Sequence, residues 1–367
     1  MYLRKVIYQM QTQIESLIPC FHLSQRRNLA VMVVGMVYAR SVNLPQIANH
    51  IKFGKTQLEA RVQRFERVLK CRKLTPLEAL KPIACQVLSS LSKTSKEPLM
   101  RLIDRSMIND TLNLLWVSVA FQGRALPLGW VLVEHDGNSD LELQQKLLRW
   151  VKECLPEAAE AVVVADRQFH WIHLAKWLEA QLKMKYALPI KAGTYLETDG
   201  QVIKAGELAV IGESFQMSGV KITKAAKLDY RTNLTVHWAT DEDEPWLLAT
   251  NLELAESVQT YQKRFWIEEM KSFHKSRGLN LEKTRFKDPD RLQRLLIAVT
   301  LAYLWLMEIG FTVVKSGEAK KVDNRGAKRA CESLSNRTAL ATQTAERWII
   351  TTDVYRQFWR NRENLKK

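Results

Sequence analysis

The stretch from residue 99 to residue 191 limits the fold more than any other part of the sequence, because its apolar runs change in period and length. Three β-branched-rich runs, separated by short polar or Gly-containing breaks, occupy 99–109, 112–122 and 125–135. Such spacing predicts three consecutive antiparallel strands. The elements predicted next are an amphipathic helix, a short apolar strand typical of a parallel sheet, a helix and a strand, at 139–155, 161–167, 168–182 and 185–191. The sequence therefore predicts an α/β domain with a mixed sheet.

This order of elements is that of the ribonuclease H-like fold. After it, residues 192–243 break the alternation, because they are rich in Gly, Val, Ile and Thr with frequent turn signals. We interpret them as a β-rich insertion. A strand at 244–252, a helix at 256–276 and a buried helix at 292–311 follow, so the predicted catalytic domain spans 96–310.

Residues 1–95 are predicted to form an all-helical domain. A buried helix at 26–40, a short helix at 44–51, a turn containing Gly54 and a basic helix at 55–70 follow one another. Asn43 has the side chain of a helix N-cap. The order resembles a helix-turn-helix, in which the second helix enters the major groove of DNA. The predicted DNA-binding residues of the basic helix are Lys55, Arg61 and Arg64. Other helical bundles share the same pattern, so the alternative is a purely structural domain.

Charge is distributed unevenly along the chain, which carries a net +16. Residues 1–100 hold 16 Lys and Arg against 5 Asp and Glu, and residues 311–367 hold 13 against 6, whereas the middle of the chain is slightly acidic. Basic ends favour a polyanionic partner. The end at 311–367 is predicted to be a helical region that supports dimerisation.

Membrane association and an oxidising compartment are not expected. The apolar run at 29–39 is too short for the roughly 18 residues of a spanning helix, and no signal peptide is evident. The five cysteines are scattered and form no CxxC pair, which fits a reducing cytoplasm.

The helix at 256–276 places four functional side chains on one stripe. At 100° per residue, Tyr261, Arg264, Glu268 and Lys275 lie within roughly 60° of one another. An apolar stripe formed by Trp266, Met270 and Phe273 is expected to pack on a core. A carboxylate can hold a divalent metal, and cations can hold phosphate oxygens. The alternative is an amphipathic helix whose charged face is only solvated.

Two further carboxylates are expected near Glu268. Asp104 lies inside the first predicted strand and Asp166 at the end of the fourth, and these strands are neighbours in a ribonuclease H-like sheet. Three close carboxylates repel one another unless a cation is present, so their convergence indicates a site for two divalent metals. The alternatives are an edge-strand residue for Asp104 and a helix cap for Asp166.

These motifs together resemble the DDE transposases of the insertion-sequence-4 type, the bacterial cut-and-paste enzymes with a YREK signature. The spacing Tyr261-x2-Arg264-x3-Glu268-x6-Lys275 matches that signature, ADRQF at 165–169 resembles the block around the second Asp, and LIDRSMI at 102–108 resembles the block around the first. Arg105 and Gln168 stand where the family often has Gly, but all three carboxylates are present.

The resemblance implies roles for individual residues. Asp104, Asp166 and Glu268 would be the catalytic ligands of two Mg²⁺ ions, with Mn²⁺ as a substitute. Tyr261, Arg264 and Lys275 would hold phosphates of the transposon end. In relatives that cut through a DNA hairpin, the Trp that opens a similar strand stacks on a flipped base, and Trp246, which opens the strand WLLAT, stands at that place.

The function implied is DNA transposition. Such a protein would bind the terminal inverted repeats of an insertion element, cleave them by metal-assisted hydrolysis and join the 3′ ends to target DNA. Its partners would be double-stranded DNA and a second copy of itself, in the bacterial cytoplasm at the nucleoid. The alternatives are a catalytically silent DNA-binding regulator and a structure-specific nuclease of the same fold.

Overall fold

The computed structural model of the protein describes residues 2–18, 22–51, 56–94, 98–109, 112–134, 139–166, 171–222, 230–284 and 286–315. The chain divides into two compact units. The helical unit comprises Met1–Pro82, Ile108–Leu112 and Glu269–Lys367, and the sheet unit comprises Ile83–Met107 and Asn113–Glu268. This division differs from the predicted boundaries near residues 95 and 310, since the segment after residue 268 groups with the N-terminal helices. Most of the predicted C-terminal region, from residue 316 onward, lies outside the described residues.

The helical unit is built from α-helices that bury continuous apolar faces. Its helices are α1 Tyr2–Leu17, α2 Leu23–Ala39, α3 Leu44–His50, α4 Leu58–Leu69 and α10 Pro289–Lys315. Helix α5, Pro76–Thr94, runs from this unit into the sheet unit. The Asn43 side chain accepts a hydrogen bond from the backbone N–H of Gln46 (3.1 Å), which confirms its predicted role as the N-cap of α3.

Helix α10 explains why the chain after residue 268 joins the helical unit. It packs on α2 and α4, and the Arg294 guanidinium donates to the carbonyl of Leu69 (3.0 Å). By length and composition it could cross a membrane over Pro289–Thr312, contrary to the expectation that no segment qualifies. However, 67% of that window is buried inside the protein, which is the environment of a core helix.

The sheet unit contains a single ten-stranded sheet. Its strands are β1 Leu99–Asn109, β2 Leu112–Phe121, β3 Arg124–Leu132, β4 Ala161–Ala165, β5 Lys185–Pro189, β6 Tyr195–Thr198, β7 Gln201–Lys204, β8 Ser214–Ile222, β9 Arg231–His237 and β10 Trp246–Thr250. They lie in the order β3-β2-β1-β4-β5-β10-β9-β8-β6-β7. Strand β4 is parallel to both β1 and β5, and β10 is antiparallel to β5. The α/β class and the five strands predicted before residue 192 are therefore confirmed.

The predicted β-rich insertion extends this sheet. Strand β10 joins β5 to β9, so β6 to β9 continue the same hydrogen-bonded array. Their apolar side chains form one core with Ile172 and Ile190, lined by Leu196, Val220, Leu234, Val236, Leu247 and Ala249. The insertion is held by this shared core and by the strand pairing.

Helices lie on both faces of the sheet. Helix α6 (Leu141–Glu153) and α7 (Trp171–Trp177), which continues as a π-helical turn Leu178–Leu182, precede β5. Ile172 of α7 packs on one face. Helix α8 (Leu254–Gln262) packs on the opposite face, where the Ser257 and Thr235 hydroxyls are hydrogen-bonded (2.9 Å).

The helix predicted at 256–276 is not regular. After α8 it tightens into a 3₁₀ turn at Lys263–Phe265, resumes as α9 (Trp266–Ser272) and widens into a π-helical turn at Phe273–Arg277. Because these turns change the angle between successive residues, a single 100° wheel does not describe the segment. Of the predicted apolar stripe, Met270 is buried, whereas Trp266 and Phe273 are only half-buried. Tyr261 and Ile267 are also buried in this segment.

Candidate active site

Asp104 and Asp166 lie side by side on neighbouring parallel strands. The pairing of β1 with β4 runs to Ile103 opposite Ala165, and the next position on each strand is the aspartate. Strands in a sheet are about 4.8 Å apart, so the two Cα atoms are close. Asp104 is buried with 5% of its surface exposed, and Asp166 is half-buried. The prediction that distant aspartates meet on adjacent strands agrees with this register.

Both aspartates point to the face of the sheet that carries α8. Extending the strand pairing places Asp166 opposite Pro189, which pairs with Leu248, which pairs with Thr235. Paired residues in neighbouring strands project from the same face. Thr235 bonds Ser257 of α8. The helical segment that leads to Glu268 therefore starts on the face to which the two aspartates project.

An aromatic cluster anchors the end of α8 to the sheet. The ring of Trp246 on β10 lies 5.2 Å from that of Tyr261 and 5.2 Å from that of His237. Trp246 is 8% exposed and Tyr261 is 4% exposed. Neither side chain is on the surface, so in this structure both have the packing role of core residues. Their predicted contacts with DNA stay predictions.

Arg264 and Glu268 lie next to each other on the same helical segment. The guanidinium is 3.8 Å from the carboxylate and lies over the ring of Phe265, 4.5 Å from its centroid. The side chain of Glu268 is 52% exposed, whereas that of Arg264 is only 16% exposed, so the carboxylate is solvated and the guanidinium is largely covered. Arg264 thus lies beside a carboxylate, and its predicted contact with a phosphate stays a prediction.

Phe265 is a residue of this surface that the sequence reasoning missed. It is 44% exposed and lies 6.3 Å from the ring of Trp246. On the wheel it falls near +40° from Tyr261, outside the stripe that runs from Tyr261 to Arg264 near −60°. Helical periodicity therefore gave no signal that would have identified it.

Lys275 lies in the π-helical turn Phe273–Arg277, within the helical unit, and is half-buried. Next to it, His274 is fully buried, and its Nδ1 is 2.7 Å from the carbonyl of Met270. Burial lowers the pKa of His274 to about 4. This imidazole is thus neutral at pH 7 and part of the core.

The carboxylates fit a metal site in part. Asp104, Asp166 and Glu268 supply only oxygen ligands, which suit Mg²⁺ or Mn²⁺. The register brings the two aspartates together. However, within the described parts of the chain no group of three or more His, Cys, Asp or Glu side chains is arranged to hold a metal ion. The structure therefore shows a pair of aspartates, and the joining of Glu268 to them stays a prediction.

The predicted DNA-binding residues of the basic helix have different environments. Lys55 lies outside the described residues. Arg64 is exposed on α4. Arg61 is half-buried, and its guanidinium donates to the carbonyl of Ile51 at the end of α3 (3.0 Å). Of the two that the structure describes, Arg64 is thus the one on an open surface.

A buried arginine near the aspartates was also not foreseen. Arg101 is on β1 but projects to the face opposite Asp104, because side chains alternate along a strand. It is fully buried, donates to the sulfur of Met184 (3.1 Å), and its Nε and Nη2 have no hydrogen bond to any described residue. Desolvation lowers its pKa to about 9. It is a core residue rather than part of the site.

Comparison with known families identifies the class of the protein. The model of the transposase DDE domain matches residues 116–305, which is more than half of the 367 residues. The chain therefore belongs to the DDE transposase family and is a transposase, an enzyme that cuts DNA. The matched region begins after Asp104 and includes Asp166 and Glu268.

Other comparisons are more distant. The piggyBac transposase in a synaptic complex with hairpin DNA, solved by cryo-EM, is similar with a TM-score of 0.41 and 10% identity over 99% of this chain and 82% of that chain. A TM-score this low does not define a common fold, so the class follows from the family match. A sequence search of curated proteins finds no match.

Proposed function

We propose that this transposase is of the insertion-sequence-4 type and that its sheet unit has the ribonuclease H-like fold. The observation that supports the proposal is the register of β1 and β4, which pairs Ile103 with Ala165, the residues directly before Asp104 and Asp166. The order β3-β2-β1-β4-β5, with β4 parallel to its two neighbours, supports the fold assignment.

The catalytic residues would be Asp104, Asp166 and Glu268. The two aspartates hold their charges on one face, and the α8–α9 segment brings Glu268 toward that face when DNA is bound. Two Mg²⁺ ions, when bound, would activate the attacking hydroxyl and stabilise the leaving oxygen in an in-line phosphoryl transfer. The role of the three carboxylates would be to hold these ions in place, since without a cation the carboxylates repel one another.

The residues around this site would hold the DNA end. Arg264 offers a guanidinium that can bind a phosphate in a bidentate manner once it leaves Glu268. Tyr261 and Lys275 would complete the phosphate contacts. If a hairpin intermediate is formed, Trp246 would stack on a flipped base, which requires the aromatic cluster around it to open.

The helical unit would recognise the terminal inverted repeats. Helices α3 and α4 have the lengths and order of a helix-turn-helix, and Arg64 is exposed on α4. Pairing of two ends would need a homodimer, to which residues 311–367 contribute basic charge.

Cleavage of the element boundary tests the proposal. Purified protein and a Glu268→Gln variant are incubated with labelled DNA that flanks the coding region, with Mg²⁺ or Mn²⁺. Boundary cleavage by the wild type alone, followed by joining when target DNA is added, is expected. Binding without cleavage under both metals would favour a silent regulator, and cleavage without joining would favour a nuclease.

A second assay addresses the hairpin. Products are sampled over time on denaturing gels, with a Trp246→Phe variant as the conservative control for packing. If only nicked and linear products form at every time point, the hairpin pathway is excluded.

A further inference from the structure

Arg61 differs from the other arginines of α4 in the direction that it faces. Relative to Arg61 at 0°, Phe65 and Val68 fall near 40° and −20°, and both are buried. Gln63 and Arg67 fall near 200° and −120° and are exposed. Arg61 therefore lies on the buried side of the helix between Phe65 and Val68 and is half-buried, whereas Arg64, about 60° away, is exposed.

The buried face of α4 contains a partner for the Arg61 charge. Helix α3 ends at His50, and the next residue, Ile51, is 1% exposed. The Arg61 Nη1 donates to the Ile51 carbonyl at 3.0 Å. The carbonyls at a helix C-terminus carry partial negative charge and lack partners within the helix, so a cation is favourable there. This bond ties the end of α3 to the first turn of α4.

Helix α3 is also fixed from its other side. A Cβ on Gly35 of α2 would lie 2.5 Å from the Cγ2 atom of Ile47 and 3.0 Å from the Cδ1 atom of Ile51. Only glycine allows α2 and α3 to approach this closely. The position of α3 is thus constrained by its close contact with Gly35 of α2 and by the Arg61 bond from α4.

We propose that Arg61 is a positioning residue that sets the angle of α4 for DNA recognition, and that the DNA contacts of this helix are made by Gln63, Arg64 and Arg67. This inference rests on the proposed binding of DNA by the helical unit. The predicted set of direct DNA contacts on α4 therefore loses Arg61 and gains the exposed residues Gln63 and Arg67.

The test compares salt dependence and specificity in full-length variants. Affinity is measured from 50 to 300 mM salt for a DNA fragment flanking the coding region and for unrelated DNA of equal length. The plot of log K against log salt concentration has a negative slope, and each lost phosphate contact should make that slope shallower by about 0.9. Arg64→Gln and Arg67→Gln should therefore reduce the slope without changing the melting temperature.

Arg61→Gln should keep the wild-type slope while the ratio of specific to unrelated affinity falls at least fivefold, measured well below its melting temperature. Arg61→Lys, which keeps a donor for the Ile51 carbonyl, should restore most of that ratio. A purely structural role would lower the melting temperature and leave the ratio unchanged, and that outcome overturns the inference. A reduced slope for Arg61→Gln would overturn it also, because it would make Arg61 a phosphate contact.

The wild-type protein separates this inference from the proposed function. If its own slope is near zero or it shows no preference for the flanking DNA, DNA recognition by the helical unit fails, whatever the variants show. If the wild type behaves as expected and only the Arg61 variants do not, the positioning role alone is refuted.

Discussion

Replacement of Asp104 by Asn should make the metal-free protein more stable and make the protein unresponsive to Mg²⁺. The β1–β4 register pairs Ile103 with Ala165, so the Cα atoms of the next residues, Asp104 and Asp166, are expected about 4.8 Å apart. Two like charges at that separation repel by about 3.5 kcal/mol at an effective dielectric constant of 20 and by about 0.9 kcal/mol in bulk water. Asp104 is buried, so relief of about 1–3 kcal/mol is expected when its charge is removed.

The assay is thermal unfolding in EDTA and in a series of Mg²⁺ concentrations. The relief corresponds to a rise of about 2–10 °C in the melting temperature in EDTA. Mg²⁺ should then stabilise the wild type as its concentration exceeds the dissociation constant, by RT ln(1 + [L]/Kd), and should leave Asp104→Asn unchanged.

The matched control is Asp241→Asn, which removes an exposed carboxylate outside the site. It should change neither the melting temperature in EDTA nor the response to Mg²⁺. If Asp104→Asn lowers the melting temperature in EDTA, the reasoning from carboxylate repulsion is wrong. If the variant still responds to Mg²⁺ like the wild type, Asp104 is not a ligand.

Three further substitutions test the packing. Gly35→Ala should destabilise the protein by about 1–3 kcal/mol in denaturant unfolding through its clash with Ile47, whereas Gly193→Ala, which meets no atom within 4 Å, should be nearly neutral. Because the pKa of His274 is lowered to about 4, the stability that its neutral form contributes is complete above pH 6.5 and is lost as the pH falls toward 4, by about 3 kcal/mol in all. His274→Gln should lack this part of the pH dependence. If the difference in unfolding free energy between the wild type and His274→Gln stays the same between pH 7 and pH 4, this reasoning is wrong. Arg101→Met should raise stability by up to about 5 kcal/mol, since the lowered pKa reflects the cost of burying the guanidinium charge. A loss of stability in this variant would show instead that the buried guanidinium is stabilised by its surroundings.

Much of the sheet could be predicted from the sequence because strand signals are local. The apolar runs and their breaks define β1 to β5, and an Asp inside an otherwise apolar strand stands out as a residue that needs a partner. The positions of Asp104 and Asp166 on adjacent strands then followed from the order of the elements. By contrast, the regular helix predicted for 256–276 was wrong, because the segment contains a 3₁₀ turn at Lys263–Phe265 and a π-helical turn at Phe273–Arg277, which apolar periodicity does not signal.

The sequence alone determined the order of the elements, showed the resemblance of the YREK spacing and the two Asp blocks to one class of transposase, and identified the residues proposed to carry the chemistry. Each depends on spacing along the chain. Only the tertiary structure decided that α10 packs with the N-terminal helices, that Trp246 and Tyr261 are core residues, and that Arg61 binds the end of α3 while Arg64 faces outward. The physical reason is that the local sequence around a charged or aromatic side chain is the same whether that side chain faces solvent or contacts a carbonyl or ring far along the chain. Only the packing of the folded protein distinguishes these two environments.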